Sequence, residues 1–150
     1  MKSCKPRGLR NNNLLNIRLG ERWQGLRRSQ TDKEFCQFVN PAFGFRAAFK
    51  IINTYYLKYN LRTLRQLINR WAPPTENNCH MYIESVKARM AIMYKPIDEE
   101  QELPAPASDK LLWCNIVRAM VFVECGVVAW KDPITWTQIN HGYNLAFKQQ

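Results

Sequence analysis

Hydrophobic positions are scattered over residues 1 to 40 and become periodic after that. In the first stretch Gly8, Gly20 and Gly25 punctuate a polar sequence, with "NIRL", "RWQGL" and "EFCQFV" as short extended candidates. This pattern predicts a loop followed by a small β-hairpin region. "NPAFGFRAAFKIINTYYLKYN" then changes period: Phe45, Ala48, Phe49, Ile52, Tyr55 and Tyr56 recur at helical spacing, and Asn60 is a stop signal. "LRTLRQLINRW" follows as a short amphipathic helix. Leu64, Leu67, Ile68 and Trp71 form its apolar face, with Arg62, Arg65 and Arg70 on or near the other.

"APPTENN" interrupts the helices, because Pro73 and Pro74 cannot continue one. Thr75 is the expected cap of the next, which runs through Cys79, Tyr82, Ile83, Val86 and Met90. "KPIDEEQELPAPASDK", rich in acid and proline, reads as a surface linker between two helical blocks. Ser108 or Asp109 caps the apolar helix "LLWCNIVRAMVFVECG", and Asp132 with Pro133 opens the last helix. No internal repeat is present. The pattern predicts a single domain over 1–150, mainly α (α+β), with a small N-terminal β region.

The apolar helix poses the chemical question. Leu111, Leu112, Trp113, Ile116, Val117, Ala119, Met120, Val121, Phe122 and Val123 cover nearly every face, so the helix is buried all round. Glu124 stands at its C-terminal end, two residues before Gly126. The helix dipole disfavours a negative charge there, and apolar neighbours desolvate it. Both raise the carboxyl pKa, which suits a glycosidic general acid. The other reading is a surface glutamate just past the core, paired with a nearby arginine.

Composition narrows the class. With 46% hydrophobic and 23% charged residues, the chain is globular and can build a core without staples. No apolar run approaches the ~20 residues of a membrane span. The opening "MKSCKPRGLRNNN" is basic but has no apolar stretch behind it, so no secretory signal is expected. Cys4, Cys36, Cys79, Cys114 and Cys125 are scattered, and His80 and His141 fit no zinc spacing. Reduced, mostly buried thiols are expected, with no metal and no cofactor. The net charge of +10 favours a polyanionic partner, either nucleic acid or the anionic bacterial cell wall. The basic residues are spread over several helices without a DNA-binding motif, which speaks against nucleic acid.

"RGLRNNNLLNIRLGERWQGL", followed by "FCQFVNPAFGFRAAFKIINTYYLKYNLRTLRQLINRWAPPTENNCHMYIESV", resembles a phage and prophage lytic virion protein family. That family carries RGIRNNNPGNIR, then W-x-G, F-x-x-F-x-x-P-x-x-G-x-R-A, RWAPPSENDT-x-x-Y and a C-terminal HENG. The likeness is close over residues 6 to 86 and loose over 108 to 147. It implies a lysozyme-like fold that degrades peptidoglycan. "NLLNIR", "RWQG" and "FCQFVNPAFGFRA" are also similar to the β region that follows the catalytic glutamate of cell-wall glucosaminidases. No glutamate-ending helix precedes them here. A circularly permuted lysozyme arrangement is therefore expected, with Glu124 of "RAMVFVECG" as general acid. The protein is expected to be made in the bacterial cytoplasm without a signal peptide and to act at the wall or within the virion, with peptidoglycan and virion components as partners.

Departures from the family pattern are specific. Leu14 and Leu15 replace its proline and glycine, Val123 and Cys125 replace the residues flanking its glutamate, and ENDT becomes "ENNC". They bear on catalysis or substrate preference more than on the fold. Asp32 is the candidate second carboxylate, stabilising an oxocarbenium-like transition state or orienting water; a hairpin-turn aspartate is its structural alternative. With one carboxylate alone, a lytic transglycosylase mechanism is open. Arg10, Asn11, Asn12 and Asn13 form a polar cluster suited to sugar hydroxyls and N-acetyl groups, with either a glycan-facing or an active-site-shaping role. Trp23, Tyr56 and Trp71 are candidate sugar platforms, each equally readable as core. Glu76 and Asn77 match the family's EN pair, although a glutamate at a helix start also favours the dipole. The alternative function is a virion-associated structural or wall-binding protein with little activity.

Overall fold

The computed structural model describes residues 5–72 and 78–148. Its helices are α1 (Arg7–Arg10), α2 (Pro41–Lys58), α3 (Leu64–Trp71), α4 (Cys79–Met93), α5 (Lys110–Cys125), α6 (Val127–Lys131) and α7 (Pro133–Ala146), with a 3-10 turn at Pro106–Ser108. The architecture is mainly helical, as the periodicity predicts.

Local chemistry accounts for the helix ends. α2 starts on Pro41, whose missing N–H is free of cost in a first turn, and its chain leaves through Asn60 in a left-handed conformation (φ 55°). Thr63 and Gln66 close a reciprocal capping box on α3. Between the two candidate caps of α5, Asp109 is the one used: its carboxylate accepts from the Leu112 N–H at 3.1 Å. Asp132 caps α7 through the Ile134 N–H at 2.9 Å, ahead of Pro133. The described cap of α4 is Asn78, which accepts from the Met81 N–H; Pro73, Pro74 and Thr75 lie outside the described residues.

α5 is the central element. Leu112, Trp113, Cys114, Ile116, Val117, Ala119, Met120 and Val121 are all buried, and α4, α6 and α7 pack around it. The indole of Trp113 donates to the Pro104 carbonyl at 3.0 Å, so the largest core side chain has no orphaned donor. α2 and α7 form the most extensive helix pair. Gly142 sets their spacing: a Cβ there would stand 2.5 Å from the Phe45 Cβ and 2.8 Å from the Ala42 carbonyl oxygen.

Two expectations need correction. The N-terminal region forms no strand among the described residues, only the isolated antiparallel bridges Arg18–Phe35 and Leu26–Phe38. Backbone bonds close each bridge, such as Leu19 N–H to the Glu34 carbonyl and Cys36 N–H to the Ile17 carbonyl, and side-chain amides hold the backbone beside them. Asn13, fully buried, donates to the carbonyls of Ile17 and Cys36 and accepts from the Ile17 N–H, each at 2.9 Å. Gln37 and Gln30 serve the neighbouring loop the same way. The segment 95–105 is likewise more than a surface linker. Leu103 is buried, its N–H bonds to the Arg62 carbonyl, and Tyr56 donates to its carbonyl at 2.7 Å. Glu99 pairs with Arg65 and Lys87, while Glu100 pairs with Arg65. The acidic residues that made it look like a linker tie it down as a strap over α3 and α4.

Candidate active site

Glu124 lies in the last turn of α5, half-buried. Its carboxyl is gripped from two sides. Tyr82 of α4 donates from Oη to Oε2 at 2.9 Å, and Asn16 donates from Nδ2 to Oε1 at 3.0 Å. Burial raises the Glu124 pKa above its ordinary value, while hydrogen bonds from Asn16, Tyr82 and Trp71 and the charge of Arg18 pull against that rise. Desolvation wins. Tyr82 is itself held well above the usual phenol range by burial beside this carboxyl, so it stays a donor.

The sequence builds this arrangement from the N-terminal loop upward. Asn16 adopts a left-handed conformation (φ 54°), which asparagine tolerates better than most residues. Leu14, Leu15 and Ile17 are buried around it, and Asn13 fixes the Ile17 backbone. Gly8 lets the loop approach the end of α5. A Cβ there would stand 2.8 Å from both the Cys125 Sγ and the Asn13 carbonyl, and 3.1 Å from Asn16 Oδ1. Cys125 donates to the Leu14 carbonyl at 3.3 Å, a second tie between α5 and the loop. Burial and the adjacent Glu124 push its thiol up to about 12, so it is inert as a nucleophile.

A groove of about 490 Å³ runs beside the carboxyl, with Asn16 and Trp71, two groups that bond Glu124, in its wall. Trp23, Tyr55, Tyr59, Arg18, Arg70 and Glu21 continue the lining. Ile51, Tyr55 and Tyr59 reach it together because residues four apart share one face of α2. Arg70 stacks over the rings of Tyr55 and Tyr59, at 5.5 Å and 5.0 Å from their centroids. The groove is thus lined by aromatic rings and polar groups.

Of the residues singled out from sequence, Trp23 and Trp71 line this groove, and Glu124 adjoins it through its bonds with Asn16 and Trp71. Tyr56 does not; it is buried in the core, and its neighbour Tyr55 takes the groove position. Asp32 does not line the groove. Arg7 holds it in a bidentate pair at 2.7 Å, Asn11 donates at 3.0 Å, and the N–H groups of Glu34 and Phe35 donate at 2.8 and 3.0 Å. The Arg7 guanidinium, ahead of the other donors, holds this carboxyl far below the usual carboxylate range. The asparagine cluster faces inward. Asn11 bridges Asp32 and Gln37, Asn12 donates to the Phe38 carbonyl, and Asn13 is the buried loop pin. Arg10 is exposed, and its carbonyl accepts from Arg27. Glu76 and Asn77 lie outside the described residues.

Asn16 and Tyr82 are the partners of Glu124 that sequence reasoning passed over. A signal existed for each. Asn16 is a polar residue set between Leu14–Leu15 and Ile17, and Tyr82 is a tyrosine on a buried helix face, whose hydroxyl needs a partner. Among the described residues, no group of His, Cys, Asp and Glu could hold a metal ion, and no helix is long and apolar enough to cross a membrane.

No protein-family model matches the chain. Its sequence is 33% identical over 145 residues to Protein P5 of Pseudoalteromonas phage PM2, a match covering 94% of this chain and 82% of that protein. The chain is a phage-type protein. It belongs to the family of Protein P5.

Proposed function

We propose that the protein cleaves the glycan strands of peptidoglycan, as a muramidase or lytic transglycosylase, with Glu124 as general acid. The lysozyme-like, circularly permuted arrangement belongs to this reading: α5 ends at the acid, and the N-terminal loop closes over it. One observation carries the proposal. A carboxyl with a raised pKa stands at the end of a buried helix, next to an aromatic groove, and two built donors fix its orientation.

In the reaction, protonated Glu124 gives its proton to the glycosidic oxygen as the bond to the anomeric carbon breaks and an oxocarbenium-like centre forms. Asn16 suits both protonation states. Its Oδ1 is buried and lacks a hydrogen-bond partner among the described residues. A half-turn of the amide would exchange Nδ2 for Oδ1 beside Oε1 and turn a donor for the carboxylate into an acceptor for the acid. Trp23, Tyr55 and Trp71 supply stacking surfaces for sugar rings. Asp32, with its lone pairs taken by Arg7, Asn11 and the backbone, serves this reading as a clamp on the loop. The oxocarbenium centre is then captured by water or by the substrate's own 6-hydroxyl, whose proton passes to the carboxylate left on Glu124.

Mass spectrometry of soluble products from purified peptidoglycan, with wild type and Glu124→Gln, tests the proposal. Products from wild type alone are expected; reducing ends mark a hydrolase and 1,6-anhydro ends a transglycosylase. No products from a folded wild type on several wall types would refute it. A second reading, a virion-associated structural or wall-binding protein, draws support from Glu124 itself: both of its oxygens are already hydrogen-bonded, and Val123 and Cys125 depart from the HENG pattern. That reading expects wall retention without turnover.

A further inference from the structure

The groove beside Glu124 does not end at its aromatic rings. Glu21, Trp23 and Thr54 also line a second depression, whose far side carries Arg22, Arg46 and Lys50. Arg46 and Lys50 then line a third, together with Lys148. We propose that this continuous basic arm binds the carboxylates of the stem peptides that hang from the wall glycan, so that the protein reads peptide-bearing strands in preference to bare ones. The inference rests on the glycan-cleaving reading and deepens it.

Helix geometry builds the arm. Arg46, Lys50 and Thr54 follow one another at intervals of four along α2, next to the Ile51–Tyr55–Tyr59 stripe that faces the sugar groove. One helix therefore presents an aromatic track and a cationic track side by side. A glycan with pendant peptides has the same two-track form. The four cations are also unspent. Among the described residues, ion pairs engage Arg7, Arg18, Arg62, Arg65 and Lys87, whereas none forms at Arg22, Arg46, Lys50 or Lys148. Clustered cations without partners repel one another, and an anionic ligand relieves that repulsion. Glu21 argues for sparse carboxylates over a phosphodiester chain. It stands where the two tracks join, and an evenly charged backbone passing through the groove would meet it head-on.

Binding separates this inference from catalysis. The inactive Glu124→Gln protein is sedimented with intact sacculi and with sacculi stripped of stem peptides by an amidase, across a salt series. Retention on intact sacculi is expected to be about tenfold tighter and to converge with the stripped preparation as salt screens the contacts. Adding Arg46→Gln and Lys50→Gln together is expected to abolish that difference. Equal retention on both preparations, or a difference that the double substitution leaves intact, would overturn the proposal. Tighter retention of duplex DNA than of intact sacculi at the same salt would overturn it as well. Wild type that yields no products while the binding difference persists would sink the catalytic reading and leave the arm standing.

Discussion

The hydroxyl of Tyr82 donates to Oε2 of Glu124 over 2.9 Å, from the first turn of α4 to the last turn of α5. It stabilises the ionised carboxyl, while burial favours the neutral one. Tyr82→Phe removes only the donor. The Glu124 pKa then rises further, and a reaction that needs the protonated acid extends to higher pH. The alkaline limb of the pH–rate profile is expected to move upward, with a stability loss of about 1–3 kcal/mol for the broken buried bond. A limb that stays put would separate Tyr82 from the acid's titration.

Asn16→Asp probes the other oxygen. Aspartate tolerates the left-handed backbone at this position, and its charge would face Oε1. Like charges cannot both ionise easily at this distance. The alkaline limb is expected to move further than in Tyr82→Phe. Carboxyl titration followed by NMR checks the order without relying on turnover.

Glu124 should also show in stability. Its folded pKa lies above the ordinary 4.5, so the native state holds the proton more tightly than the unfolded chain. Its contribution is fully present below pH 4.5 and is lost as pH rises through the raised folded value. Glu124→Gln has no such titration. Thermal melts should show the variant gaining on wild type from pH 4 toward neutrality, while glycan cleavage falls by about 10²–10⁴.

Asp32 works in the opposite sense. Its folded pKa is depressed below the ordinary 3.8, chiefly by the Arg7 guanidinium. Its contribution is present above pH 3.8 and is lost as pH falls through the folded value. Asp32→Asn is therefore expected to lower Tm most at neutral pH, and the gap to wild type should narrow in acid. If the loop clamp is its whole role, cleavage should track the fraction folded. A large kcat loss in a fully folded Asp32→Asn protein would restore it as a second catalytic carboxylate.

Gly142→Ala tests the α2–α7 packing. The added methyl would press on the Phe45 Cβ and the Ala42 carbonyl, and neither can swing aside. A loss of about 1–3 kcal/mol is expected, which lowers Tm by roughly 3–10 °C in a domain of this size.

Much of the frame was legible in the chain. Helical spacing located α2 and α3, an apolar run located α5 and the Asp132–Pro133 start located α7, while the cap of α5 was narrowed to Ser108 or Asp109 by short-range chemistry that a sequence displays directly. Glu124 stood out because a carboxylate closing an all-apolar helix is anomalous on local grounds. The rest depended on long-range geometry. "NIRL" and "EFCQFV" have strand-like composition, yet they pair only at the Arg18–Phe35 bridge, and the buried amide of Asn13 holds the backbone beside it, which only the closed loop shows. Asn11, Asn12 and Asn13 read as either glycan-facing or site-shaping because composition carries no direction; their direction, inward, is set by what packs over them. Tyr55 and Tyr56 are adjacent and alike in sequence, and the helix rotation of 100° per residue puts one in the groove and the other in the core. Asn16 meets Glu124 across 108 positions of chain. Composition and period determine which segments become helices. Which side chains share a carboxyl is decided only when those helices pack.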